Sequence, residues 1–203
     1  MTKGKSAGIL IVIVIVIAAV AYGIVVIRHG FSARDNPSWV ESSLAKKTRS
    51  MAVPSTARNM KNPFPNTPEN LKEAGEHWAD HCAICHANNG GGSTTIGRNL
   101  YPKAPDMRKP ETQNMTDGEL YYTIVNGIRL SGMPAWGEGG DNDEASWKLV
   151  HFIRHLPQLT PEEEKHMESM NPKSAEEKQE EQQEQDFLNG PSQPEKKSKP
   201  MKH

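Results

Sequence analysis

Trp78-Ala79-Asp80-His81-Cys82-Ala83-Ile84-Cys85-His86 is the stretch on which the fold turns. Its two cysteines stand three positions apart and are the only two in 203 residues. A disulfide scaffold spreads many cysteines along a chain, so that organisation is excluded. Two thiols one short turn apart can add to the two vinyl groups on adjacent pyrrole rings of a haem. The next residue then sets His86 under the iron as proximal ligand. Cys82 and Cys85 are thus expected to attach one haem c covalently. A zinc half-site, a redox dithiol and a simple disulfide are the competing readings. Zinc needs a second ligand pair, and the nearby candidates, His77 and His81, equally suit a solvated helix face. A thioredoxin-like dithiol expects a strand–helix–strand setting, and no segment here shows strand alternation.

Working outward, Thr67-Pro68 marks a helix start, with proline at the first helical position. Leu71, Ala74, Trp78 and Cys82 recur at intervals of three and four and make one apolar face. The helix is expected to end near the motif, because Asn88 to Thr95 is rich in Gly, Asn, Ser and Thr and reads as loop. A second helix starts at Thr116, where Glu119 completes a capping box, and ends near Gly127. Gly137 to Asp143 reads as loop. A third helix covers about Asn142 to Leu156, with Trp147, Leu149, Val150, Phe152, Ile153 and Leu156 apolar, and Pro157 stops it.

A haem that transfers electrons at high potential favours a thioether on the sixth iron position. Met133, in Ser131-Gly132-Met133-Pro134-Ala135-Trp136, is the expected distal ligand, paired with His86 as proximal ligand. Gly132 permits a close backbone approach, and Pro134 stiffens the loop. The 47 positions between His86 and Met133 leave room for a loop and a helix around the haem edge. Met107 and Met115 compete for the position. The pairs His77/His81 and His151/His155 are the alternatives for a bis-histidine site.

The remaining chain divides by composition. Residues 1–28 are expected to form a transmembrane anchor, since Ile9 to Ile27 is almost unbroken apolar sequence, long enough to cross a bilayer as a helix. Lys3 and Lys5 precede it and favour a cytoplasmic N-terminus; Arg28 and Arg34 on the far side weaken that asymmetry. Ala19-Val20-Ala21 resembles a cleavage site, but Ile24 to Ile27 continues the apolar run beyond it. Residues 29–66 form a Pro- and Ser-containing basic arm, a tether or a strap, in which Ser38 to Met60 has modest helical character. From Arg28 to Lys61 there are seven Lys/Arg and two Asp/Glu; from Phe64 to Thr160 there are eight and twelve. No broad basic patch exists, so nucleic-acid binding has no support. The haem domain is expected over 67–160. Beyond it, 161–203 is a charged tail, acidic from Glu176 to Asp186 and basic at Lys196 to Lys199. It is expected to be partly disordered, with any docking left to part of it or to Phe187-Leu188. Only 35% of the chain is hydrophobic, and much of that lies in the first segment. The core left is small, and an apolar cofactor would help to fill it.

From about Pro68 to Leu159 these features resemble the bacterial class I c-type cytochrome domain. Trp78 matches the aromatic four residues before the first cysteine, and Leu149 with Phe152 matches the aliphatic and aromatic pair of the last helix. Ala74, with Gly75 beside it, matches the small residue at the helix crossing. The resemblance implies an all-α cytochrome c fold, three to four helices around one haem, here with an N-terminal transmembrane helix. It also implies electron transfer with redox partner proteins rather than catalysis, with the haem domain on the periplasmic face of the inner membrane. An accessory haem subunit of a larger oxidoreductase and a ligand-binding haem sensor are the other functions considered. Where many members read Gly-Pro-Asn-Leu, this chain reads Gly97-Arg98-Asn99-Leu100, so the carbonyl that orients His86 is open to replacement by Pro102 or Pro105. Arg98 is a candidate to reach a haem propionate. Tyr101, Tyr121, Tyr122 and Trp136 are candidate pocket neighbours, with plain core packing as the alternative.

Overall fold

A computed structural model of the chain describes residues 3–29, 32–137, 142–173 and 175–189. Helices follow in chain order as α1 (Lys3–His29), α2 (Trp39–Ala52), α3 (Ser55–Arg58), α4 (Pro68–His77), α5 (Ala83–His86), α6 (Thr95–Arg98), α7 (Pro110–Gln113), α8 (Asp117–Asn126), α9 (Glu144–His155), α10 (Pro161–Glu168) and α11 (Ala175–Asn189). A π-helical turn, Trp78–Cys82, joins α4 to α5, and a 3₁₀ turn, Leu156–Gln158, ends α9. No strand occurs among the described residues, so the molecule is all-α. Residues 138–141 of the expected loop before α9 lie outside the described residues.

The helix starts follow local chemistry. The Thr67 side chain accepts the Asn70 amide (3.2 Å), with Pro68 at the first position. Thr116 and Glu119 close the capping box of α8 at 3.2 and 2.8 Å. Asp143 accepts the Ser146 amide at 2.8 Å and caps α9. Each cap satisfies donors that the first turn of a helix leaves open.

The core lies where α4 crosses α9, with α8 on the other side of α9. Small residues let the two crossing helices meet: Ala74 is buried, and a Cβ on Gly75 would lie 3.2 Å from the Phe152 ring. The Trp78 and Phe152 rings meet at 5.5 Å. Tyr121 of α8 stacks on Trp147 of α9 at 4.0 Å, and its hydroxyl accepts the Asp143 amide (2.9 Å). Tyr121 therefore packs in the helix–helix core, with Trp147 on one face of its ring. Trp78 and Trp147 are fully enclosed. Burial of such a ring removes 150–250 Å² from water, roughly 4–6 kcal/mol of transfer free energy apiece. Arg154 ties α9 to the α7–α8 corner through Asp117 Oδ1 (2.8 Å) and the Gln113 carbonyl (2.6 Å).

Both flanks of this core are strapped to it. Val53 and Ala57 are buried, and α3 approaches α8 so closely that a Cβ on Gly118 would lie 1.9 Å from the Ala57 carbonyl oxygen. Arg58 pairs with Glu119 at 2.9 Å, Asn62 donates to the Trp147 carbonyl at 2.9 Å, and the His151 ring bonds the Phe64 carbonyl at 2.9 Å. The second half of the basic arm is thus a strap along α8 and α9. After α9, a second capping box (Thr160/Glu163) starts α10. Met167 of α10 is only 3% exposed and belongs to the core cluster. Asn171 then donates to Ala79 O (3.1 Å) and Asn88 Oδ1 (2.9 Å) and accepts from Asn88 Nδ2 (3.0 Å). In α11, Phe187 and Leu188 are exposed among the described residues; Lys196 to Lys199 lie outside the described residues. At the other end, Ala7–Arg28 of α1 is long and apolar enough to cross a membrane, and it fits a membrane anchor.

Candidate functional site

The Cys82–His86 motif occupies the join between the π turn and α5. Beyond it the backbone turns sharply. Ala87 has φ +61°, which a side chain rarely tolerates. Its carbonyl accepts the Trp78 indole N–H at 3.0 Å, and its own amide donates to Ala83 O at 2.8 Å. The core tryptophan therefore holds the peptide that leaves His86 in a conformation the chain would otherwise avoid.

His86 lies 5.7 Å from the Trp78 ring, and burial pushes its pKa down to about 4. The imidazole is neutral at physiological pH, the form that ligates a metal. Its Nδ1 is buried without a hydrogen-bond partner. The expected replacements for the orienting carbonyl are not found: neither Pro102 nor Pro105 accepts from this ring. Arg98 turns instead to the Ser93 carbonyl and hydroxyl (2.8 and 3.1 Å), partners that fit its guanidinium within its own loop.

The thiols discriminate among the readings of the motif. Burial, and then the neighbouring Cys85, pushes the Cys82 pKa up to about 12, and burial raises that of Cys85. A reactive dithiol needs a lowered pKa, so neither cysteine has that character. Among the described residues no group of three or more His, Cys, Asp or Glu side chains is placed to hold a metal ion, which leaves a zinc half-site incomplete. Both cysteines are free.

Two loops converge on the motif. The first is the turn through α6: Thr94 donates to the Ile84 carbonyl at 2.8 Å, and a Cβ on Gly97 would lie 2.2 Å from the Cys85 carbonyl oxygen. That close approach explains the glycine at this position. The second is 127–137, which carries Met133. Gly127 (φ +65°) ends α8 and turns the chain, and a Cβ there would lie 2.6 Å from the Ala135 amide. Gly132 packs on Leu100, the Trp136 amide donates to Ile124 O at 3.1 Å, and the Trp136 ring stands edge-on to His81 at 5.4 Å. Ile84, Ile96, Leu130 and Trp136, all on the motif or on these loops, are exposed apolar side chains.

Other candidates are engaged elsewhere. Met107 is buried in the core, and Met115 packs against it. His155 bonds Glu163 at 2.9 Å and His151 the arm. His77 and His81 stack at 4.8 Å. Burial, and then His81, lowers the pKa of His77, while Asp143 and Asp80 oppose the shift. Tyr101 donates its hydroxyl to Glu41 of α2. Sequence reasoning missed Asn88, Met167 and Asn171 behind the motif, although the Thr160-Pro161-Glu162-Glu163 start signal was there to find.

The arrangement fits a haem. It offers a neutral, half-buried imidazole whose Nδ1 has no partner, two protonated thiols three positions apart, and apolar side chains left facing solvent. Residues 69–153 match the family described as cytochrome c oxidase, cbb3-type, subunit III. No match among curated proteins accompanies it. The matched segment runs from α4 through most of α9 and contains both convergent loops and the Cys82–His86 motif; it is a c-type cytochrome domain.

Proposed function

We propose that this chain carries a single haem c, attached through Cys82 and Cys85 and ligated by His86 and Met133, and that it passes single electrons at the outer face of a bacterial inner membrane. The observation that carries this reading is the two-ended pinning of the Met133 loop, by Gly132 on Leu100 and by Trp136 on His81, one residue before Cys82. When bound, the haem supplies a reversible one-electron iron couple. His86 would hold the iron as a neutral imidazole, and the Met133 thioether would favour its reduced state. Trp78 and Ala87 fix the turn behind His86 and keep water from it. With His86 and Met133 as its two ligands the iron would have no position for a substrate, and Ile84, Ile96 and Trp136 would form the apolar rim at which a redox partner exchanges electrons. Lys3 and Lys5 retain the N-terminus in the cytoplasm and direct the domain outward.

A second reading, a haem subunit fixed within a larger membrane oxidoreductase, is favoured by the family description, which names an oxidase subunit. Purification in mild detergent separates the two: a fixed subunit stays with other redox subunits, a carrier does not. For the site itself, the reduced protein at neutral pH is expected to contain one covalently bound haem and to bind no carbon monoxide. Carbon monoxide binding would place an open sixth position on the iron and overturn the transfer reading in favour of a ligand sensor.

A further inference from the structure

Between the membrane helix and the strap lies α2, whose packing differs from every helix of the domain. None of its residues is buried. Trp39 is 81% exposed, Val40 65%, Leu44 65% and Met51 74%. At 100° per residue these four fall within one arc of the helix, with Lys47 among them. The opposite side faces the domain: Glu41 accepts the Tyr101 hydroxyl, and Arg49 lines a cavity with Pro110, Glu111 and Glu119. Lys103 bonds Asn36 just upstream at 2.7 Å. The apolar arc therefore points away from the haem domain, and nothing in the chain covers it among the described residues.

We propose that α2 is a second membrane contact, lying in the headgroup layer of the bilayer that α1 crosses, with its apolar arc in the lipid and Lys46 and Lys47, beside and within that arc, on anionic headgroups. The proposal rests on the reading of α1 as an anchor. Nine residues separate His29 from Trp39, so even a fully extended connection keeps the start of α2 within about 30 Å of the end of α1. A helix with apolar residues on one arc, a tryptophan at its first turn and a basic charge excess matches interfacial helices in composition. Glu41 is its one acidic residue and is turned to Tyr101 on the domain side, away from the arc that carries Lys47. Because 53–66 is strapped to α8 and α9, a fixed α2 also fixes the face that the haem domain turns to the membrane.

The full chain with its haem, reconstituted in phosphatidylcholine nanodiscs with or without phosphatidylglycerol, tests this by hydrogen exchange. Amides of 39–52 are expected to exchange about tenfold more slowly when the anionic lipid is present, while α4 exchanges equally in both. The triple change Trp39→Ser, Leu44→Ser, Met51→Ser removes the protection in both lipids; the double change Lys46→Gln, Lys47→Gln removes only its dependence on charge. Equal exchange of 39–52 in both lipids and in the serine variant overturns the proposal while α1, protected inside the disc, upholds the anchor. Protection that appears only on adding other membrane proteins also overturns it, in favour of a protein partner. Failure of α1 to enter the disc overturns both readings.

Discussion

The two sides of the site are built by different means. Behind His86 stands the crossing of α4 and α9: Trp78 and Phe152 in ring contact, the Trp78 indole on Ala87, and α10 with Met167 closing the back. In front, the Met133 loop has no regular structure between Gly127 and Gly137, and Met133 itself is only half-buried. Its position is set by backbone: a positive φ at Gly127, the Ile128 amide on the Met133 carbonyl (3.1 Å), and the Met133 amide on the Ser131 hydroxyl (3.2 Å). The side behind His86 is held by packed volume, and the Met133 loop, proposed as the distal side, by turn geometry. Substitutions behind His86 should therefore cost stability, and substitutions in front should change the iron's surroundings with little cost to the fold.

The sharpest break comes at the motif. Replacing both Cys82 and Cys85 by alanine should abolish covalent haem, and denaturing gels stained for haem should show none on the chain. Haem that remains covalently bound would refute the attachment. Next, Trp78→Ala should cost about 3–5 kcal/mol through the cavity and the lost bond to Ala87. That is a large part of the 5–15 kcal/mol that holds an ordinary domain folded. Thermal unfolding of the purified protein measures it, and a cost under about 1 kcal/mol would remove Trp78 as the proximal support.

On the distal side the expected signature is the reverse. Met133→Ala should leave the haem attached and the helices intact, open the sixth position to carbon monoxide, and lower the potential. The shift should be on the order of a tenth of a volt, within the roughly 0.8 V that axial ligands span. An unchanged spectrum and potential would return the ligand question to Met107 and Met115. Gly127→Ala puts a Cβ on the Pro134–Ala135 peptide at a positive φ and should strain the loop by about 1–3 kcal/mol. It should therefore weaken thioether ligation with far-ultraviolet circular dichroism unchanged.

The same division governs what could be read from sequence. The starts at Thr67 and Thr116 and the buried face of α9 were legible because caps and a 3.6-residue period are local signals; the third helix, expected from about Asn142, begins at Glu144 under the Asp143 cap. The Cys82–His86 motif was legible because its chemistry lies in adjacent residues. Tyr121 was not: its place against Trp147 is a contact between helices, with no mark in the local pattern. Nor was α10, whose one buried side chain, Met167, stands among Glu, Lys and His and acquires its partner only when α10 folds back on Gly75. Arg98, read as a propionate partner, donates its Nη1 to Ser93 within its own loop, a contact the sequence pattern does not mark.

The smallest effect is the most discriminating test of the proximal side. Ala87 holds φ +61° because the Trp78 indole fixes its carbonyl. Glycine adopts that conformation without steric penalty, although it also adds freedom to the unfolded chain. If the strain at Ala87 exceeds that entropy, Ala87→Gly raises stability by about 0.5–1 kcal/mol, with the haem spectrum unchanged. If the turn is relaxed, the sign reverses and the variant loses a similar amount. Combining it with Trp78→Phe, which keeps a ring but removes the N–H, separates the two. Once the indole no longer holds the carbonyl, the gain from glycine should shrink, because the turn can relax in either background. A gain that is identical with and without the indole would show that Trp78 supports His86 by volume alone, and that the hydrogen bond to Ala87 contributes nothing to holding it.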